Sequence, residues 1–331
     1  MDWAALCLAG IFSDAPGRGD SQITQDVIPV VVKQRGRNPL MTIDITALFC
    51  CLDDFCQLYE RAASRRLLPP AGQRRREGKL CLSEMMFIMA LFHVSPFKNF
   101  KTFYLYGVRD KYRDCFRETP SYPRFVELMR KLLLPFSLLL HTLRGEETGT
   151  YFADSTKLAV CHNRRISSHR VFSGLAARGK TTMGWFFGFK LHVVINDKAE
   201  IMAVRITPGN TDDRKPMKAM TAGLKGKLYA DKGYISKTLF EDLWQDGLQL
   251  ITGIRKNMRN YLLPLFDKLM LRKRFILETV FDVLKQAQGL EHSRHRLPAN
   301  AFVHILSCLV AYGLKPLKPK IKREIRLAAY P

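Results

Sequence analysis

Apolar residues recur at helical intervals over residues 43–66, with Leu48, Leu52, Phe55, Leu58 and Tyr59 on one stripe, and predict a helix or a pair of helices. The stripe ends at the loop LPPAGQRRREGK, where Pro69, Pro70 and Gly72 break helical continuity. Ser83 is placed to cap a helix over 84–93, Pro96 to open another over 96–106, and Ser121 with Pro123 to open a third over 124–134. From Gly149 the period shortens to that of strands, over 151–160, 185–195 and 201–207. The turn Asn196, Asp197, Lys198 predicts that the last two form an antiparallel hairpin. A helix capped from the Thr211 to Asp213 region, a strand over 227–230, a helix over 237–244, a strand over 248–254 and a long helix over 271–286 follow. The order β-β-β-α-β-α-β-α implies an α/β (α+β) chain: a mixed five-stranded sheet flanked by helices, preceded by a small all-helical domain.

The pattern divides the chain into a leader at 1–40, a helical domain at 41–148, a sheet domain at 149–314 and a basic tail at 315–331. The leader carries Asp14, Pro16, Gly17, Gly19 and Asp20 and no amphipathic pattern that continues past Met41. It is expected to be a disordered arm or an upstream extension, with Met41 the natural start.

Charge changes this picture from architecture to partner. The chain of 331 residues has 53 Lys and Arg against 30 Asp and Glu, a formal charge of +23. Solubility needs a magnitude of only roughly 2 to 8 for a small domain, so the excess points to a polyanion. The helix over 124–134 presents Arg124, Arg130 and Lys131, and the preceding loop presents Arg74, Arg75 and Arg76, as candidate phosphate contacts. Three short helices with tight turns permit a helix-turn-helix, although an ordinary helical bundle has the same spacing. The eight cysteines include no C-x2-C pair and read as reduced core residues of a cytosolic protein. No run of eighteen apolar residues is present to span a membrane, and Asp2 ahead of the apolar stretch 4–12 argues against a secretory signal.

Three carboxylates give the basic chain a candidate chemistry. Asp154 lies in the first strand, Asp231 follows the fourth, and Glu278 sits on the last helix. Brought together they form an all-oxygen site suited to Mg²⁺ (or Mn²⁺), with two ions activating and stabilising oxygens in phosphate chemistry. On a continuous helix Arg274, Glu278 and Lys285 share one face, beside an apolar stripe of Leu277, Val280, Phe281 and Leu284. Asp282, one turn on, is the rival for the third ligand. Asp212 and Asp213 read as cap and first-turn residues, and His192 as a strand residue.

The series YFADST, CHNRRI, GKTTMGWFFGFKLH, PGNTDDRKP, ADKGYIS, GIRKNM, LRKRFILETV and EHSRHR resembles the DDE transposases of bacterial insertion sequences, specifically the insertion-sequence family numbered nine-eighty-two. The resemblance runs over about 41–314 and implies a ribonuclease H-like catalytic core. It implies that Asp154, Asp231 and Glu278 are the catalytic triad, and that Arg274, Lys285 and Lys232 contact DNA phosphates near the cut end. The related Y-x2-R-x3-E-x6-K signature has Leu271 where its tyrosine would stand. Trp185 and Tyr234 are read as core aromatics rather than as residues that stack on a displaced base. The implied activity is metal-dependent cleavage at terminal inverted repeats followed by strand transfer, by a homodimer assembled on double-stranded DNA in the bacterial cytoplasm. A nuclease without strand transfer, or a remnant acting as a DNA-binding repressor, are the alternatives.

Overall fold

A computed structural model describes residues 44–66, 78–182, 184–255, 257–258, 262–291 and 295–321. The leader at 1–40, the basic triplet Arg74 to Arg76 and the tail beyond 321 lie outside the described residues.

The first stripe forms one helix, α1 (Ile45–Arg66), with Leu48, Leu52 and Phe55 buried. It packs on α2 (Leu82–Val94). This helix starts two residues before the predicted one, because Cys81 rather than Ser83 is the cap. The Cys81 amide donates to Glu84 Oε2 at 2.8 Å and the Cys81 sulfur accepts from the Glu84 amide, leaving Ser83 buried within the first turn. Pro96 opens nothing: helical structure resumes only at Phe100–Thr102 and continues as a π-helical run, Phe103–Lys111. The third predicted helix is divided into α3 (Tyr122–Leu128), a 3₁₀ turn (Met129–Leu132) and α4 (Leu133–Thr142).

The sheet has six strands, β1 (Thr150–Cys161), β2 (Ala177–Thr181), β3 (Gly184–Asn196), β4 (Ile201–Pro208), β5 (Gly226–Ala230) and β6 (Leu248–Thr252), against the five expected. The added strand is β2, the polar segment ARGKT. β3 pairs antiparallel with β1 along one edge and divides its other edge between β2 and β4. β5 lies parallel to β1, and β6 parallel to β5. Between them, α5 (Lys237–Gln245) returns the chain for β6.

Alternation along β1 sends Tyr151 and Ala153 into one apolar cluster with Leu228, Ala230 and Leu239, and Phe152 into another with Tyr229, Ile251 and the helices. By the same period Asp154, next after Ala153, falls on the face of Phe152. Each fully buried Phe or Leu there contributes roughly 1.5 to 3 kcal/mol. Gly226 is required where β5 enters beside β1: its φ is +117°, and a Cβ would stand 2.3 Å from the Gly149 carbonyl oxygen.

The predicted long helix is broken. It consists of α6 (Leu265–Lys273), α7 (Ile276–Asp282) and a π-helical turn Val283–Ala287, with Arg274 and Phe275 at the junction. A last helix, α8 (Pro298–Gly313), lies against α4 and α2 and is buried on almost every side. His93 of α2 ties this junction together, with Nδ1 2.7 Å from the Gln288 carbonyl oxygen and Nε2 2.9 Å from Ser307 Oγ.

Of the cysteines, Cys56 and Cys308 are core residues, while Cys50, Cys81 and Cys115 are exposed; the described cysteines are all free thiols. No helix among the described residues is long and apolar enough to cross a membrane.

Candidate active site

Parallel pairing of β1 with β5 puts Ala153 opposite Ala230. Asp154 is the next residue of β1 and Asp231 the first residue after β5, so the register brings the two side by side. Asp231 stands where β5 gives way to a 3₁₀ turn, Lys232–Tyr234, and is exposed. Asp154 is only 23% exposed at its side chain and accepts from the Ser155 amide through Oδ1 at 2.8 Å.

Arg274 links the two. Its Nη1 donates to Asp154 Oδ2 at 2.8 Å, and its Nη2 lies 3.7 Å from Asp231 Oδ1. The break between α6 and α7 releases Arg274 from a continuous helix, and its side chain turns to the strands. α6 is itself anchored by Asp267, a residue 2% exposed, which accepts from Tyr229 Oη at 2.7 Å and pairs with Lys227 Nζ at 2.9 Å. The sequence pattern does not single out Asp267; only the fold reveals that Lys227 and Tyr229, on one face of β5, meet it.

Burial pushes the Asp154 carboxyl up to about 6, opposed by the Ser155 amide and Arg274 and reinforced by Asp231 and Asp213. Asp213 is not the cap residue that local spacing suggests. Its Oδ1 accepts from Ser155 Oγ at 2.9 Å and Lys190 Nζ at 3.0 Å, and stands 3.7 Å from His192 Nδ1. The helix that follows is a single turn, Met217–Met220, and Asp212 pairs instead with Arg214. Burial, then Asp154 and Asp213, hold the Tyr234 phenol well above its ordinary value. His192 is fully buried, with Nε2 2.8 Å from Thr207 Oγ1, and burial lowers it to about 4.

The other candidates do not complete a metal site with this pair. Glu278, in the first turn of α7, is exposed, and no group of three His, Cys, Asp or Glu among the described residues stands close enough to hold a metal ion. Lys285 sits in the π-helical turn and pairs with Glu291 at 2.6 Å, so the continuous face expected for Arg274, Glu278 and Lys285 is not formed. Lys232 is exposed beside Asp231, and its carbonyl accepts from Arg255. Arg124 pairs with Glu127 at 2.7 Å on the surface, while Arg130 and Lys131 are exposed on the 3₁₀ turn. Tyr234 is buried as expected, but Trp185 is 51% exposed.

The Asp154 and Asp231 pair fits a divalent cation in its donor chemistry. Two carboxylates share one guanidinium, and burial raises the more buried of them despite that partner.

Comparison with curated proteins finds no match. Among solved structures, the cryo-EM structure of the piggyBac transposase synaptic complex with hairpin DNA is similar at TM-score 0.35 and 14% identity, over 70% of this chain and 55% of that one. Residues 144–298, which include β1 to β6, the two aspartates and Arg274, match the family model described as a transposase DDE domain.

Proposed function

We propose that the protein is a DDE transposase with a ribonuclease H-like core that binds terminal inverted repeats, cleaves DNA in a metal-dependent reaction and joins the freed end to a target. The observation that carries this reading is that Asp154, within β1, and Asp231, just past the end of the parallel β5, directly follow the paired Ala153 and Ala230 and are bridged by Arg274, inside the segment that matches a transposase DDE domain. The strand order β4-β3-β1-β5-β6, antiparallel through β1 and parallel beyond it, supports the ribonuclease H-like assignment.

Asp154 and Asp231 would hold magnesium or manganese, and Glu278, which does not complete a metal site with them in this structure, would have to move toward the pair to serve as the further ligand. Such ions stabilise charge on a phosphate oxygen and activate an attacking hydroxyl. In the first step a water oxygen attacks phosphorus and the P–O bond to the element's 3′ oxygen breaks, leaving a 3′-hydroxyl. In the second, that hydroxyl forms a P–O bond in target DNA and a target 3′-hydroxyl leaves. Arg274 would neutralise a non-bridging phosphate oxygen, and Lys232 would contact the strand beside Asp231. Arg74, Arg75, Arg76, Arg124, Arg130 and Lys131 would hold the repeat away from the cut, and paired cutting of two ends calls for a homodimer.

The test is incubation of the full chain with terminal-repeat DNA and Mg²⁺ or Mn²⁺, and separately with a pre-cut 3′ end and target DNA. Cleavage with joining is the expected result. Cleavage without joined product identifies a nuclease, and binding without cleavage identifies a repressor.

A further inference from the structure

The β2–β3 hairpin has one side seated and one side free. At Gly179 a Cβ would stand 2.1 Å from the Gly209 carbonyl oxygen, so only glycine lets β2 lie this close to the end of β4. Phe186, opposite Gly179 in the ladder, is buried on that seated side. Alternation then turns Lys180 and its direct partner Trp185, together with Arg178, to the other side. There the Arg178 guanidinium lies 4.9 Å and the Lys180 ammonium 5.7 Å from the centre of the indole ring, and Trp185 remains 51% exposed. Asn163 donates to the Trp185 carbonyl at 2.8 Å and fixes the strand beneath the ring.

The stretch of sequence that carries this ring has charge of a single sign. Between Asp154 and Asp197 the sequence contains no acidic residue, yet it contains Lys157, Arg164, Arg165, Arg170, Arg178 and Lys180, besides Lys190, which is turned inward to Asp213. Charged side chains alone would be accounted for by protection of an edge strand, which β2 is. Protection does not call for an exposed indole, because an apolar ring on an edge promotes association. An aromatic platform flanked by cations is what a polyanion with flat faces requires: phosphates meet the guanidinium and ammonium groups while a base stacks on the ring. Beyond the hairpin β3 runs on to Val193, which pairs with Asp154.

We propose that this hairpin is a DNA-binding arm on which Trp185 stacks with an unpaired nucleotide and Arg178 and Lys180 take the adjoining phosphates. The assignment rests on the transposase reading for its choice of DNA as the polyanion. Intact duplex keeps its bases stacked on one another, so the ring selects a frayed, tailed or gapped site.

The test compares full-length wild-type protein with Trp185→Ala, Trp185→Phe and Arg178→Ala by fluorescence anisotropy, on a blunt duplex and on the same duplex with a short unpaired DNA tail. Wild type prefers the tailed DNA. Trp185→Ala weakens tailed-DNA binding roughly 5- to 100-fold and leaves blunt-duplex binding within about 2-fold, whereas Trp185→Phe keeps most of the preference. Arg178→Ala weakens both substrates alike and lowers the salt slope by about one. A wild type indifferent to the tail, or a Trp185→Ala variant with unchanged preference, overturns the proposal. Loss of blunt-duplex binding by Trp185→Ala as well also overturns it, because the ring would then act on general binding or on folding. Metal-dependent cleavage decides the transposase reading separately: a chain that never cleaves but shows the Trp185-dependent preference defeats that reading and keeps the arm.

Discussion

His93, where α2 meets α8, and Asp154, where β1 faces Arg274, are both titratable side chains withdrawn from water, and the protein treats them in opposite ways. His93 is 2% exposed, both ring nitrogens have partners, and burial lowers it to about 4, so it is neutral and satisfied at pH 7. Asp154 is partly buried near Asp231 and Asp213, and burial raises it to about 6, so at pH 7 it carries a charge that its surroundings disfavour. The first arrangement is finished in the folded chain. The second leaves a cost that an added cation would offset, which marks Asp154 as a candidate for chemistry where His93 is a fixture of the fold.

The largest expected break in this comparison is in activity. Asp154→Ala or Asp231→Ala should lower metal-dependent cleavage by roughly 10³-fold or more with DNA binding retained, measured by single-turnover cleavage and anisotropy. Next is stability at the other site: His93→Leu leaves the buried Gln288 carbonyl without the ring and should cost about 2 to 4 kcal/mol in urea unfolding at pH 7.

The two groups also predict opposite pH slopes. Because the His93 value is depressed when folded, the unfolded chain takes up the proton first as pH falls. Its stabilisation of about 3 kcal/mol is present above about 6.5 and lost by about 4. His93→Leu should flatten that limb. For Asp154 the folded value is raised, so the unfolded chain ionises first as pH rises from about 4. The resulting cost grows until about 6 and is full above it. Asp154→Asn should therefore stabilise the metal-free protein by about 1 to 3 kcal/mol at pH 7 and leave it unchanged below about pH 4, read by unfolding at both pH values. The smallest effect belongs to a surface pair outside the comparison: Arg124→Ala should change stability by less than about 0.5 kcal/mol while reducing DNA affinity.

Strands with clean alternation are legible in the amino-acid sequence. β1, β3 and β4 lie within a residue or two of the positions their pattern predicts, and the side-by-side placement of the first strand and the one leading to Asp231 follows from topology. The polar ARGKT of β2 has no alternation to read, since its partner face is set by the glycine contact with Gly209. α8 escapes for the reverse reason: a helix apolar all round has no polar face to define a period. At the site, the two aspartates are legible from their strand contexts. The direction taken by Arg274 is not, because a helical wheel assumes a continuous helix and this one breaks at 274–275. Asp213 is hidden by local capping logic, its partners Ser155 and Lys190 lying on other strands.

The cover supplied by α8 bears on how the chain is made. His93 meets Ser307 across 214 residues, so α2 and α4 cannot complete their packing until α8 has been made and has left the ribosome. A nascent chain stalled before α8 leaves the apolar faces of its first helices open to chaperones and to one another. Closure of α2 and α4 thus waits on a helix made some two hundred residues after α2.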